Sequence, residues 1–147
     1  MSVRRAQQSD FESWLILRRK LWPHASDAEC QADFERHLEN SERLMTLLAE
    51  NENNEIIGFV EASIREEYVE GCETRRVGYI EGWFVDEKYR RQHVGGKLVA
   101  AAENWARQQN CLEMASDCEL ANEISLQAHE KLGYEIISRN VHFKKWL

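Results

Sequence analysis

The sequence is short of several things, and each shortage removes a class of function. It has no C-x-x-C pair among its four cysteines, Cys30, Cys72, Cys111 and Cys118, and no Cys/His cluster at zinc-ligand spacing. A metal site and a disulfide framework are therefore not expected, and the thiols read as reduced and structural. No run approaches the roughly 18 apolar residues of a membrane span, and the N-terminal MSVRRAQQSDFESW has no apolar signal-peptide core. The expected setting is the cytoplasm, with no membrane partner. Neither G-x-x-x-x-G-K-S/T nor G-x-G-x-x-G occurs, which excludes a Walker loop and a dinucleotide fingerprint. Positive charge is scarce: 19 Lys and Arg face 26 Asp and Glu, a formal net charge of −7. Such a chain repels phosphate backbones, so nucleic acid is not an expected partner and a cationic small molecule fits better. There is one proline, Pro23, and no linker, repeat or low-complexity tract. The 147 residues read as one domain, 1–147, of ordinary size.

What is present alternates between strand and helix patterns. SVRRA (2–6) reads as a short first strand. Ser9 and Glu12 have capping-box spacing before Phe11, Trp14, Leu15, Leu21 and Trp22, with Pro23 just past the helix end. Ser26 and Glu29 repeat that spacing before a stripe of Phe34 and Leu38. RLMTLLAE (43–50) and EIIGFVEASIRE (55–66) flank the turn NENN and predict a hairpin. VGYIEGWFVD (77–86) is a strand with Gly82 at its middle, where a bulge or a close approach by another backbone is expected. Leu98, Val99, Ala102, Trp105 and Ala106 form one helical face. CLEMASD (111–117) predicts a buried strand, and ANEISLQAHEKLG (121–133) a helix closed by Gly133. YEIISRN and VHFKKW predict two final strands. The order implies a mixed α/β fold around one central sheet flanked by helices.

YRRQHVGGKL (89–98) leads from the Gly82 strand into a helix that starts near Val94 or Gly95. The free N–H groups and positive dipole of a helix start attract anions, and glycines allow close approach. Arg90 and Arg91 add charge suited to phosphate. By itself this stretch is either a phosphate cradle or only a basic, flexible helix start.

The wider pattern resembles the GNAT superfamily of N-acetyltransferases. There a long strand runs into a Q/R-x-x-G-x-G/A loop, matched here by Arg90-Arg91-Gln92-His93-Val94-Gly95, with His93 in place of the first glycine. The later Y-x-x-L-G-F signature is matched by His129-Glu130-Lys131-Leu132-Gly133-Tyr134. LRRKLWP (17–23), EASIREEYVEGCET (61–74), YIEGWFV (79–85) and EMASDCELANEISLQAHEKLGY (113–134) are similar to bacterial aminoglycoside 6′-N-acetyltransferases.

The resemblance implies a largely antiparallel sheet with a splayed, bulged strand, and acetyl-CoA as co-substrate with no metal. It implies that Arg90, Arg91, Gln92, His93, Val94, Gly95 and Gly96 hold the pyrophosphate. Trp83, Phe84 and Val85 would hold the pantetheine through their backbone, with the Val85 N–H polarising the thioester, and Asn122 would contact the same arm. Trp22, Tyr68, Glu81 and Asp117 would form the acceptor pocket, the two carboxylates on neighbouring parallel strands facing one cleft as ammonium binders and proton acceptors. His129 replaces a tyrosine near the sulfur, as an acid or as a satisfied structural histidine. Ser138 stands where some relatives carry a substrate-binding acid. Such enzymes are commonly dimers, and VHFKKW could pair across one. A polyamine or other small amine as acceptor, and a non-catalytic CoA-binding module, are the alternatives. A residue at position 93 is expected to avoid positive φ or accept strain, weakening acetyl-CoA binding.

Overall fold

The computed structural model describes all residues 1–147. The elements run β1 (Ser2–Arg5), α1 (Phe11–Leu21), α2 (Asp27–Glu39), β2 (Leu44–Glu50), β3 (Ile56–Arg65), β4 (Val77–Val85), α3 (Val94–Gln108), β5 (Glu113–Ser116) and α4 (Glu123–Lys131). The five strands form one sheet in sequence order. β1 to β4 pair antiparallel, and β5 joins β4 in parallel. No helix is long and apolar enough to cross a membrane.

Period-two alternation places the core on both faces of the sheet. Leu48 and Phe59 face α1 and α2, where they meet Trp14, Leu17, Cys30 and Phe34. Leu47 and Val60 face the other way, towards Leu98, Val99, Ala102 and Trp105 of α3. The hairpin between β2 and β3 is closed by Asn51, whose side-chain oxygen accepts from the Asn53 and Glu55 N–H groups, both at 2.9 Å. The Ser26–Glu29 capping box of α2 forms in both directions. At the first helix the box lies elsewhere. A short 3₁₀ turn, Gln8–Asp10, precedes α1, and the Asp10 carboxylate accepts from the Gln7 N–H at 2.7 Å. Asp10 also receives Arg4 at 2.8 and 2.9 Å, so the ion pair selects this start over Ser9. α4 ends in a Schellman motif. The Tyr134 N–H returns to the His129 carbonyl, the Gly133 N–H to that of Glu130, and Gly133 has φ +88°.

Two features of the sheet shape a cleft. Between β3 and β4 the register steps from Glu61 opposite Gly82 to Ala62 opposite Ile80. Glu81 is thus the extra residue of a β-bulge, at the glycine that signalled one. The close approach at Gly82 comes from a side chain, Trp22, and not from another backbone. β4 and β5 pair only over Val77–Ile80 with Glu113–Ser116. Beyond Ile80 the two strands part, leaving one edge of β4 without a strand neighbour. β5 itself is only half-buried along its length.

The two final strands are absent. Residues 134–147 carry no helix or strand. Ile136, Ile137, Val141, Phe143, Trp146 and Leu147 are exposed. Their β-propensity is real, but a strand needs a neighbour to pair with, and within this chain the sheet ends at β5.

Candidate active site

β4 reaches the cleft with alternating side chains. Trp83 and Val85 pack towards α3, and Phe84 packs towards α1. The Asp86 N–H donates to the Ile57 carbonyl of β3, whereas the Val85 carbonyl accepts from Arg90 Nε at 3.0 Å. Because N–H and C=O of one residue leave a strand on the same side and alternate along it, the Val85 N–H faces away from β3, onto the open edge. The Trp83 N–H, two residues back, has the same orientation.

The loop after β4 ends on α3. His93 is its N-cap, with φ 62° and ψ 9°, in the left-handed region, and it offers no side-chain cap. Arg91 also has positive φ, at 63°. Position 93 therefore accepts the strain rather than avoiding it; histidine is among the residues that tolerate this region. The first N–H groups of α3 stay without a side-chain acceptor. A Cβ on Gly96 would meet only Leu132, at 3.5 Å, whereas one on Gly95 would strike the Trp83 indole at 2.9 Å. Gly95 thus serves packing, and Gly96 is the open one. Arg91 carries no ion pair. Arg90 folds back onto β4, its guanidinium 5.6 Å over Phe84. Gln92 reaches the Lys88 carbonyl. Uncapped amides, an open glycine and a free arginine fit a pyrophosphate at this helix start.

Across the open edge stands α4. Asn122 caps it, its carbonyl oxygen accepting from the Ser125 N–H at 3.1 Å, which leaves the amide nitrogen without a protein partner. The His129 ring meets Trp83 edge-on at 5.4 Å and Tyr134 at 5.7 Å. Its Nδ1 lies 2.7 Å from the Ser125 carbonyl, which fixes the proton there, and its Nε2 accepts from Ser116 Oγ at 2.8 Å. Both ring nitrogens are engaged. The Trp83 Nε1 is buried with no hydrogen-bond partner.

On the opposite side of the bulge a cleft of about 370 Å³ is lined by Arg18, Trp22, Arg36, His37, Leu44, Glu61, Ser63 and Glu81. The Trp22 indole lies against Gly82: a Cβ there would come within 2.2 Å of the ring. The Arg18 guanidinium sits between Trp14, at 5.0 Å, and Trp22, at 4.8 Å. It donates to buried Glu61 from Nε at 3.0 Å and to Asp33 at 2.9 Å. Burial raises the Glu61 carboxyl above its usual range against the pull of Arg18. Burial also opposes the Arg18 charge, but Glu61, Cys30 and Asp33 more than offset it. The cation against Trp22 is thus held in place by Glu61 and Asp33.

The two expected carboxylates are joined indirectly. Glu81 accepts from Ser63 Oγ at 2.6 Å and from Arg65 Nη2 at 2.9 Å to both oxygens. The Arg65 guanidinium lies 3.4 Å over the Tyr79 ring. The Tyr79 hydroxyl donates to Asp117 at 2.5 Å. Burial, then the Asp117 carboxylate, keep that phenol protonated above its ordinary range. Asp117 does not line the cleft that holds Glu81; Arg65 and Tyr79 connect them.

Tyr68 is exposed, in the loop before β4. Ser138 has no side-chain partner, but its neighbours fasten the tail to that same loop. Ile137 lies on Gly71, and the Asn140 amide donates to Glu70 at 3.1 Å. Arg18, Glu61, Ser63, Arg65 and Tyr79 were not marked by the sequence. One signal existed: Glu61 is the only polar residue in the run from Ile56 to Ala62, and a buried carboxylate demands a cation.

The acetyltransferase (GNAT) family model matches residues 3–134. The chain belongs to that family. It is 40% identical over 145 residues to an aminoglycoside N(6′)-acetyltransferase type 1 of Acinetobacter baumannii, covering 99% of this chain and 98% of the relative. The solved structure of AAC(6′)-Iy with the bisubstrate analogue CoA-S-monomethyl-acetylneamine superposes with a TM-score of 0.93 at 36% identity, covering 99% of this chain and 98% of that one. The apo aminoglycoside 6′-N-acetyltransferase AAC(6′)-IG of Acinetobacter haemolyticus gives 0.92 at 38%, over 100% and 99%. The mixed, largely antiparallel sheet with its bulge and splay is the fold of this family.

Proposed function

We infer that this protein is an acetyl-CoA-dependent aminoglycoside 6′-N-acetyltransferase, an enzyme that confers antibiotic resistance. The observation that carries the reading is one opened strand serving two substrates. β4 presents the Val85 N–H to its free edge, and its bulge presents Glu81 to the cleft under Trp22. Full-length similarity to enzymes of that name supports the acceptor.

Acetyl-CoA supplies the acetyl group as an activated thioester. The α3 start, with Arg91 and Gly96 foremost and Gln92, His93, Val94 and Gly95 around them, holds the pyrophosphate. Arg90 braces the loop against β4. The Trp83, Phe84 and Val85 backbone positions the pantetheine, with the Asn122 amide nitrogen opposite. The Val85 N–H donates to the thioester carbonyl, where negative charge grows during transfer. Trp22 and Tyr68 offer aromatic faces to a polycation, Ser138 lies beside the Tyr68 loop, and Glu81 and Asp117 bind ammonium groups and take the amine's proton, directly or through water. His129 holds Ser116 at the mouth of the splay.

Transfer is by direct attack with both substrates bound. Cys111 is buried, and burial pushes its thiol up, which suits no acyl carrier. The 147 residues work as one domain in the cytoplasm. The exposed apolar tail, Val141 to Leu147, is covered by a second copy in a homodimer. Sedimentation should give a dimer that Phe143→Asp with Trp146→Asp converts to monomer; a monomeric wild type would remove the dimer from the account. For the activity, CoA release should be far faster with kanamycin than with spermidine. Equal turnover would dismiss the aminoglycoside reading.

A further inference from the structure

Glu81 is not a vacant anion. Its Oε1 accepts three hydrogen bonds, from Ser63 and from Nε and Nη2 of Arg65, while Oε2 accepts only one, from Arg65. The guanidinium grips the carboxylate through both oxygens, which neutralises the charge an acceptor's ammonium group would seek. We propose that Arg65 is a resident cation in the ammonium site of Glu81, which the incoming polyamine must displace, and that this competition sets acceptor affinity. The inference rests on the reading of Glu81 as an acceptor-binding group.

The geometry allows exchange. The Arg65 side chain is 41% exposed and that of Glu81 34%, so the pair is a weak, solvent-screened one. Oε2, with its single partner, is the side on which an ammonium group can enter. Arg65 also has a resting place independent of Glu81. It stacks on Tyr79, whose hydroxyl is fixed by Asp117, so releasing the carboxylate does not require Arg65 to leave the site. A singly charged amine is at a disadvantage against a tethered competitor that binds both oxygens, whereas a polycation brings further charges to the exchange.

The test is steady-state kinetics of Arg65→Gln, Arg65→Lys and Glu81→Gln with kanamycin as acceptor. Removing the competitor should lower the kanamycin KM of Arg65→Gln about two- to fivefold, the span of a half-exposed ion pair. Its KM should also rise more steeply with added salt, since the cleft gains a net negative charge, while the KM for acetyl-CoA does not move. Arg65→Lys, which keeps the charge and loses the bidentate grip, should fall between wild type and Arg65→Gln, and serves alone if the glutamine variant fails to fold. A kanamycin KM that rises or stays level in these variants, with Glu81→Gln raising it, would overturn the proposal and leave the reading of Glu81 intact. A Glu81→Gln variant with unchanged KM would overturn both.

Discussion

The indole of Trp22 rests on the bare Cα of Gly82, so closely that a Cβ at that position would stand 2.2 Å from the ring. The same glycine follows the bulged Glu81 in β4. One missing methyl group therefore lets Trp22 pack beside the bulge that carries Glu81. Gly82→Ala should push Trp22 outward, at an overpacking cost of about 1–3 kcal/mol. The kanamycin KM should rise roughly tenfold, the equivalent of 1.4 kcal/mol, with the acetyl-CoA KM unaffected. Initial rates with each substrate varied in turn check this.

His93 holds a left-handed conformation at the start of α3. A non-glycine residue gives up about 1–2 kcal/mol there, partly offset in a glycine variant by the freer unfolded chain. His93→Gly should raise stability by about 0.5–1 kcal/mol and tighten acetyl-CoA binding. His93→Val, β-branched, should do the reverse. Calorimetric melting and titration with acetyl-CoA measure both. An acetyl-CoA affinity unchanged in His93→Gly would show that the strain does not reach the phosphates.

Arg18 and Glu61 form a buried pair, and removing one partner strands the other. Arg18→Met should lose about 3–5 kcal/mol in urea unfolding, and adding Glu61→Gln should recover much of it. The pH dependence has a definite sign. The folded-state pKa of Glu61 lies above its unfolded value. Its favourable contribution is therefore complete below the unfolded pKa and lost as pH rises through the folded one. The deficit of Arg18→Met should shrink on acidification.

Asp10 behaves oppositely. Its hydrogen bonds from Arg4 lower its pKa below 3.8 against the effect of burial, helped by the Gln7 N–H. Its contribution is present above that value and disappears as pH falls through the lowered one. Asp10→Asn should therefore flatten the acid limb of the melting temperature between about pH 5 and pH 3, with a lower plateau at pH 7. Thermal melts across that range decide it.

Much of the fold was legible because local signals agreed with tertiary ones. The β2–β3 alternation, the Ser26–Glu29 box, Gly133 and Gly82 each stand where their chemistry predicts. The tail was misread because β-propensity in 134–147 says nothing about whether a neighbouring strand exists. Within the site, Trp22, Glu81 and the 90–96 loop stood out through their motifs, and the structure brings Trp22 and Glu81 to one cleft and the loop to the start of α3. Arg18 and Arg65 did not stand out, because an arginine in sequence looks the same whether it is solvated or paired; only Glu61, set in an apolar run, carried a signal. Tyr79 was hidden likewise: its hydroxyl acquires a role only when β5 delivers Asp117 beside it.

The central claim is that the cleft beside the β4 bulge delivers a 6′-amino group to the acetyl donor held on the open edge. The most direct measurement is CoA release with a 6′-amino aminoglycoside beside its 6′-hydroxyl analogue at matched concentration. Turnover is expected with the amine, and little or none with the alcohol. Equal release from both would contradict that claim.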